Sequence, residues 1–150
     1  MKIAIASDHA GFELKEKIKK FLEDKNIEYQ DFGTFSKERV DYPDYGKIVA
    51  QVVANNQFER GILICGTGIG MAIVANKIKG IRAACCTSTY LADRSRRHND
   101  ANILTLGGRV LSPEAACEIV TVWLNTPFEG GRHLIRVKKI KELEMNTKKN

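Results

Sequence analysis

The chain has 150 residues, of which 43% are hydrophobic and 28% are charged. This size and composition predict one compact domain with a core of its own, which we assign to residues 1–150. No segment reaches the ~20 apolar residues of a membrane helix, and the N-terminus lacks the long apolar region of a signal peptide. We therefore expect a cytoplasmic protein with no membrane partner.

The net charge of +6 is concentrated near the C-terminus. Residues 132–150 contain seven lysines and arginines and two glutamates, which gives +5 for that segment. The solvated face of a terminal helix accounts for most of these charges. No alternation of aromatic and basic residues predicts a nucleic-acid surface, so we expect no nucleic-acid partner.

The four cysteines show neither a CxxC pair nor a histidine spacing typical of zinc sites. They are Cys65, Cys85, Cys86 and Cys117. A disulfide framework is not expected in a chain of this size without export signals. The sequence therefore predicts reduced thiols, and no cluster of histidine and acidic ligands that would hold a metal.

Short apolar runs alternate with segments of helical periodicity along the chain. The predicted strands are residues 2–7, 27–33, 61–65, 81–86 and 102–108. The predicted helices are residues 10–25, 45–57, 68–78, 88–100, 112–126 and 130–144, with Ser88 and Ser112 as N-caps. Residues 35–44 are predicted to be a loop, and residues 145–150 a frayed tail. This order favours a mostly parallel five-stranded sheet with helices on both faces.

Ligands of such sheets bind beyond the carboxyl ends of the strands. Asp8 and His9 follow the first predicted strand, residues 65–70 follow the third, and Arg109 follows the fifth. Asp8 has an alternative role, because its carboxylate could cap the first helix. Several ionisable side chains at successive strand ends nevertheless predict a binding site.

The segment "CGTGIGM", residues 65–71, is a glycine-rich turn after a strand. A nucleotide P-loop requires Gly-Lys-Ser/Thr, but Met71 follows Gly70. A dinucleotide site requires G-x-G-x-x-G with an acidic residue about 20 positions later, and the sequence meets neither condition. Both nucleotide hypotheses are therefore excluded.

A different anion remains possible for this turn, because amides at the start of the following helix carry the positive end of its dipole. The same amides would stabilise a thiolate, which makes Cys65 a candidate reactive group. Its alternative role is that of a small core residue. We favour that alternative for the other three cysteines, which lie inside apolar runs.

Two further groups of polar residues lie later in the chain. His98 and Asn99 end a helix that also carries Arg94, Arg96 and Arg97, and a histidine can act as acid or base near neutral pH. Arg132 and Arg136 are four residues apart, so they share a helical face and could bind a phosphate. Solvent-exposed positions remain the alternative for both groups.

Taken together, "SDHAG", "DYPDY", "CGTGIGM", "RSRRHNDANILTLGGR" and "GGRHLIRV" resemble ribose-5-phosphate isomerase type B. This family also contains the galactose-6-phosphate isomerase subunits, and the likeness runs from residue 1 to about residue 144. The resemblance implies a Rossmann-like α/β three-layer sandwich with a C-terminal helix. It also implies a metal-free and cofactor-free aldose–ketose isomerase of a small sugar phosphate. The enzyme would interconvert D-ribose 5-phosphate and D-ribulose 5-phosphate through a cis-enediolate, as a homodimer or dimer of dimers with shared sites.

The resemblance also implies roles for individual residues. Cys65 would be the catalytic base, Thr67 would assist proton movement at the substrate oxygens, and His98 would open the sugar ring. The anion hole would be formed by the amides of Gly66, Gly68, Ile69 and Gly70. Substrate contacts would come from Asp8, Tyr42 and Asn99, and the phosphate clamp from His9, Arg109, Arg132 and Arg136. Some members use a glutamate base instead, but Met71 and Ala72 occupy that region here.

Two alternatives to ribose 5-phosphate isomerisation remain open. One is the isomerisation of a 6-phosphate aldohexose, such as allose 6-phosphate or galactose 6-phosphate, because the length of the pocket decides between the sugars. The other is a sugar-phosphate sensor that binds its ligand without turnover and does not need Cys65.

Overall fold

The computed structural model describes residues 1–146, and it contains five strands and six helices over that range. The strands are β1 (Lys2–Ser7), β2 (Glu28–Asp31), β3 (Arg60–Cys65), β4 (Ala83–Cys85) and β5 (Ile103–Gly107). The helices are α1 (Phe12–Asp24), α2 (Tyr42–Ala54), α3 (Ile69–Asn76), α4 (Thr89–Arg97), α5 (Pro113–Asn125) and α6 (Arg132–Asn146). No helix within residues 1–146 is both long and apolar enough to cross a bilayer.

All five strands are parallel, in the order β2-β1-β3-β5-β4. The register aligns Ile5 of β1 with Ile62 of β3, and Ile62 with Leu104 of β5, so large apolar side chains form a row across the sheet. The predicted α/β architecture is confirmed, and the sheet is wholly parallel.

Alternation along the strands gives the two faces of the sheet different packing. In β1, Ile3 and Ile5 contribute to one apolar cluster, which contains Trp123 of α5 and side chains of α1. Ala4 and Ala6 point to the opposite face and pack with residues of α2 and α3. Because successive strand residues face opposite sides, one short run of sequence builds both layers of the core.

Helix α2 begins at Tyr42, three residues before the predicted start, so the loop predicted over residues 35–44 is wrong for its last three positions. Asp41 is extended (φ −90°, ψ 121°), and Pro43 lies in the first turn. A proline is tolerated there because the first amides of a helix have no intrahelical acceptor. The early start fixes Tyr42 on a helix instead of a loop.

Both predicted N-caps are confirmed. Ser88 Oγ accepts a hydrogen bond from Leu91 N at 3.2 Å, and Ser112 Oγ accepts one from Ala115 N at 3.1 Å. Helix α4 ends at Arg97, so His98 is its C-cap residue instead of lying inside the helix. Helix α6 continues to Asn146, so residues 145 and 146 are not frayed as predicted, and the remainder of that predicted tail lies outside the described residues.

The loops after β1, β3 and β5 are joined by backbone hydrogen bonds. Asp8 N donates to Ile64 O at 3.2 Å, and Gly108 N donates to Cys65 O at 2.8 Å. The approach is close enough to require glycine, because a Cβ atom on Gly108 would lie 2.6 Å from the carbonyl oxygen of Ala10. These contacts hold the three loops in one fixed arrangement at the carboxyl edge of the sheet.

A buried lysine secures the segment that follows β2. Lys15 of α1 is fully buried, and its Nζ donates to Asp31 Oδ1 at 2.7 Å and to the carbonyl oxygen of Thr34. Lys19 contributes a second bond to the same carboxylate at 2.8 Å. Removing one partner of a buried ion pair leaves the other charge with incomplete compensation.

We expect Lys15→Met to lower the free energy of unfolding by about 3 kcal/mol, because Asp31 and the Thr34 carbonyl would lose a buried donor. The matched control is Lys20→Ala on the same helix, where the lysine side chain is 76% exposed and the expected loss is below about 0.5 kcal/mol. Urea unfolding curves measure both. Equal losses in the two variants would contradict the prediction.

Candidate active site

A cavity of about 460 Å³ lies at the carboxyl edge of β1, β3 and β5. It brings together side chains and backbone from the loops after these strands and from the start of α2. Its lining residues are Asp8, His9, Ala10, Tyr42, Cys65, Gly66, Thr67, Ile69, Gly70, Ile73 and Arg109. Most of the candidate residues identified from the sequence therefore meet in one place.

Cys65 ends β3 and is 4% exposed. Its Sγ accepts a hydrogen bond from Gly68 N at 3.2 Å, and Gly68 has a left-handed backbone (φ 82°) that a residue with a side chain adopts only with strain. Thr67 Oγ1 accepts a similar bond from Ile69 N at 3.2 Å. The thiol thus lies against the positive end of the α3 dipole.

Gly70 leaves room for the ring of Tyr42. A Cβ atom on Gly70 would lie 2.7 Å from Cζ of Tyr42, which is closer than any van der Waals contact allows. The aromatic ring therefore covers the first turn of α3 and closes one side of the cavity. This contact depends on the early start of α2.

Asp8 and His9 line the cavity from the loop after β1. Asp8 Oδ1 accepts a hydrogen bond from Gly11 N at 3.0 Å, which orders the loop before α1. Gly11 is the N-cap of α1 and no side chain caps the first amides of that helix, so the capping role considered for Asp8 is not observed. His9 Nδ1 lies 3.2 Å from both Val40 N and Val40 O. Both contacts use the same nitrogen, and within residues 1–146 nothing binds Nε2, which leaves that nitrogen available to a ligand.

The Arg109 side chain has no hydrogen-bond or ion-pair partner among residues 1–146, and it lies 3.6 Å from the position of a Cβ atom on Gly66. A second cavity of about 690 Å³ shares Asp8, His9, Tyr42 and Arg109 with the first, and Arg39 also lines it. An unpaired guanidinium beside helix-terminal amides favours a negatively charged ligand.

His98 and Asn99 lie elsewhere, at the amino edge of the sheet. They follow α4, directly before β5, and Asn99 O accepts a hydrogen bond from Arg82 Nε at 3.0 Å just ahead of β4. The five residues of β5 span ~16 Å between the two edges. Neither residue lines the Cys65 cavity, so one chain does not unite all of the predicted site residues.

Arg132 and Arg136 belong to this second group of residues. The ring of His133 stacks on the ring of His98, with centroids 4.1 Å apart and planes at 12°. Arg136 Nη1 lies 3.2 Å from His133 Nδ1, and Arg132 Nε donates to His133 Nε2 at 3.4 Å. We call His98, Asn99, Arg132, His133 and Arg136 the histidine–arginine group.

Ion pairing with carboxylates divides the arginines of the two groups into two classes. Arg94 and Arg97 form ion pairs with Asp93, and Arg96, which is buried instead of solvated, forms one with Asp100. Within residues 1–146, by contrast, no carboxylate pairs with the arginines that the sequence proposed as a phosphate clamp, namely Arg109, Arg132 and Arg136. The structure thus leaves those three free to bind an anion.

The structure brings three potential metal ligands together, contrary to the expectation of no histidine–acidic cluster. Donor atoms of His98, Glu129 and His133 all lie within 4.8 Å of one another. Stacked imidazoles direct their in-plane lone pairs into two separate, nearly parallel planes, whereas a zinc ion lies ~2 Å from each nitrogen along its lone pair. The two arginines add positive charge, so this arrangement fits a cation poorly.

Two residues near the candidate groups were missed or misjudged from sequence: His133 in the histidine–arginine group, and Cys85 beside the glycine-rich turn. His133 lies within the quoted "GGRHLIRV" motif, but only helix packing shows that it is buried against His98. Cys85 is half-buried instead of a core residue, and its Sγ lies 3.7 Å from Thr67 O, beside the glycine-rich turn. The core role is confirmed for Cys86, where burial raises the thiol pKa to about 11.

The parallel sheet and the cavity at its carboxyl edge define the chain as an α/β protein with a small-molecule site. The family model for ribose/galactose isomerases matches residues 3–140. A solved ribose-5-phosphate isomerase B from Clostridium thermocellum has a TM-score of 0.95 and 54% identity, covering 97% of this chain and 98% of that one. The chain therefore belongs to the ribose/galactose isomerase family, and it is a sugar-phosphate aldose–ketose isomerase.

Curated relatives differ in the sugar that their names specify. Ribose-5-phosphate isomerase B of Escherichia coli is 50% identical over 143 residues, covering 95% of this chain and 96% of its own. A D-erythrulose-4-phosphate isomerase of Pectobacterium atrosepticum is 45% identical over 141 residues, covering 93% of each chain. Membership of the family therefore fixes the reaction class more firmly than the length of the sugar.

Burial lowers the pKa of His133 below its usual 6.5, and the positive charges of His98, Arg136 and Arg132 lower it further, against a small opposing effect of Glu129. The folded state then binds a proton less readily than the unfolded state. Stability is therefore lost as the pH falls from about 7 through 6.5 towards the folded pKa.

A histidine NMR titration measures this shift, since the chain has only three histidines. The resonance that disappears in His133→Phe should titrate below pH 6.5 in the wild type. When the pH falls from about 7 to about 5, the free energy of unfolding of that variant should also decrease less than that of the wild type. A midpoint at or above 6.5 would refute the lowered pKa.

Proposed function

We propose that this chain interconverts D-ribose 5-phosphate and D-ribulose 5-phosphate through a cis-enediolate. The observation that carries the proposal is the position of Cys65, whose Sγ accepts a hydrogen bond from Gly68 N inside a cavity that also contains unpaired Arg109. A thiolate base, helix-terminal amides and a free guanidinium are the groups that isomerising a sugar phosphate requires.

The reaction moves one proton between neighbouring carbons. The Cys65 thiolate removes the proton at C2 of the open aldehyde, and the electron pair moves to the C1 oxygen, which gives the enediolate. The thiol then returns the proton to C1, while the proton on the C2 hydroxyl passes to the C1 oxygen. Thr67, whose hydroxyl lines the same cavity, is suited to assist that second transfer.

Charge that develops on the substrate oxygens is stabilised by the amides of the glycine-rich turn. The turn lines the cavity through Gly66, Thr67, Ile69 and Gly70. The first amides of a helix have no intrahelical acceptor. Two of them, Gly68 N and Ile69 N, donate to Cys65 Sγ and Thr67 Oγ1, and a developing oxyanion would replace these side-chain acceptors. A preorganised donor of this kind typically contributes about 3 kcal/mol to the stability of the transition state.

Ring opening and phosphate binding require the histidine–arginine group. Ribose 5-phosphate is mostly a closed furanose, so an acid–base group must open it first, and His98 suits that role. Arg132 and Arg136, with Arg109 and the Nε2 side of His9, would hold the phosphate and orient the reacting carbons. Asn99 would supply a polar contact to the sugar.

A second subunit follows from the separation of these groups. Cys65 lies at the carboxyl edge of the sheet and His98 at the amino edge, and β5, which runs between these edges, is ~16 Å long. Two copies related by a twofold axis would bring the Cys65 cavity of each chain to the histidine–arginine group of the other. We therefore propose a homodimer, or a dimer of dimers, with shared active sites.

We expect Cys65→Ala to abolish isomerisation of ribose 5-phosphate, with kcat reduced by at least about 1,000-fold, while ribose 5-phosphate still binds in calorimetry. Cys117→Ala is the matched control, because that cysteine is half-buried on α5 and away from the cavity, and it should keep full activity. Isomerisation by Cys65→Ala at saturating substrate would contradict the thiolate mechanism. Binding without turnover in the wild type would instead favour a sensor.

The isomerisation assay also identifies the preferred sugar phosphate. The adjoining cavity lined by Arg39 offers room beyond His9 and Arg109, which keeps allose 6-phosphate and galactose 6-phosphate as the second candidate substrates. We expect kcat/KM of the wild type to be highest for ribose 5-phosphate. A higher value for either hexose phosphate would assign the enzyme to that sugar.

Mixing two defective chains tests the shared site. Cys65→Ala and His98→Asn should each be defective alone, but random exchange of their subunits should restore about a quarter of the wild-type activity, since half of the dimers then carry one intact site. The control mixes either variant with itself. No recovery after demonstrated subunit exchange would contradict a site built from two chains.

A further inference from the structure

His133 is a buried histidine to which the proposed reaction assigns no role. It lies in the first turn of α6 with 3% of its surface exposed. Its ring is stacked on that of His98, with a centroid distance of 4.1 Å and an interplanar angle of 12°. A nearly parallel contact of this kind restricts rotation of both rings about their χ2 angles.

Within residues 1–146, the stack on His133 is the contact that sets the plane of the His98 ring. An acid–base histidine is usually oriented by a carboxylate or carbonyl that binds its second nitrogen. Across residues 1–146 no such partner binds either ring nitrogen of His98. Its backbone N–H donates a hydrogen bond to Arg94 O at 2.9 Å. Both ring nitrogens of His98 therefore remain available for proton transfer.

The ring nitrogens of His133 face the two clamp arginines, at 3.2 Å from Arg136 Nη1 and 3.4 Å from Arg132 Nε. A neutral imidazole has a single acceptor nitrogen, so it can accept a hydrogen bond from only one of them at a time. Burial and the surrounding positive charges keep this ring neutral, which also avoids repulsion when His98 takes up a proton.

We propose that His133 is a positioning residue, which fixes the plane of His98 through the ring stack and orients the clamp arginines through its nitrogens. The inference rests on the proposed function, because it concerns how the ring-opening and phosphate-binding groups of that site are held. The two contacts use different parts of one side chain, so different substitutions separate them.

Ring opening has a kinetic signature that general damage does not produce. A chain that cannot open the furanose uses the free aldehyde, which forms in solution without enzyme. Its rate on ribose 5-phosphate therefore stops rising with enzyme concentration once spontaneous opening becomes limiting. A chain that opens the ring but works slowly keeps a rate proportional to enzyme concentration.

Three variants of His133 separate the two contacts. His133→Phe retains a planar ring without nitrogens, so we expect kcat within about threefold of the wild type, KM raised by about fivefold, and a rate proportional to enzyme concentration. His133→Leu loses the plane, so its rate should reach a plateau and its kcat should fall by at least about tenfold. His133→Gln keeps a hydrogen-bonding group without a ring, so it should also reach a plateau but with KM near the wild-type value.

Two controls accompany these variants. His98→Asn shows the plateau of a chain without the acid–base group, and circular dichroism with urea unfolding verifies the fold of each variant. If His133→Leu does not fold, the comparison of His133→Phe with His133→Gln carries the test. NMR gives a readout without activity, since a stacked ring shifts the His98 ring protons upfield in the wild type and His133→Phe but not in His133→Leu or His133→Gln.

The expected result is a plateau for the variants without a ring and a KM effect for His133→Phe. Two results with an active wild type would overturn this inference alone. One is equal kinetic behaviour of His133→Phe and the folded variants without a ring, and the other is unchanged His98 proton shifts in all variants. A wild type that does not turn over ribose 5-phosphate would overturn the proposed function and the positioning role with it.

Discussion

The hydrogen bonds that join the loops after β1, β3 and β5 are the constraint on which the candidate site depends. Parallel strands end at one edge, but a common edge alone does not give a reactive thiol a fixed environment. The bond from Gly108 N to Cys65 O, and the bond from Arg109 N to Gly66 O at 3.0 Å, tie the third loop to the fifth. Glycines at the points of contact permit this approach, so backbone geometry sets the distance between the thiol and the arginine before any ligand binds.

Electrostatics then gives each part of the site a separate task. The N-terminus of α3 directs the Gly68 amide towards Cys65. In the proposed reaction it would stabilise negative charge on the thiolate and on the substrate oxygens. Three arginines have no acidic partner within residues 1–146 and would bind the phosphate in the proposed site, namely Arg109, Arg132 and Arg136. The arginines of α4 are instead paired with Asp93 and Asp100. Under this proposal, the placement of two aspartates separates the structural arginines from those that bind the phosphate.

Sequence patterns predicted most of the fold and most of the residues that line the candidate cavity, because strand periodicity locates strand ends directly. These side chains lie at or just after a strand end, namely Asp8, His9, Cys65 and Arg109, so a parallel sheet is sufficient to bring them to one edge. The start of α2 was missed because "DYPD" is typical of a turn, although a proline also fits the first turn of a helix. The separation of His98 from Cys65 depends on the end of α4 that lies at each edge of the sheet. The stack of His98 on His133 depends on how α6 packs. The local spacing of residues predicts neither.

The placement of two complementary groups at opposite edges of one sheet has a consequence for gene duplication. Where each chain supplies half of every site, two diverging copies can each lose a different half and still form one working site together. Such losses would make each copy dependent on the other, because a homodimer of either copy would contain no complete active site. If the proposed shared site is correct, a mixed enzyme of unlike subunits would be reached by loss alone, without any new contact or new catalytic residue.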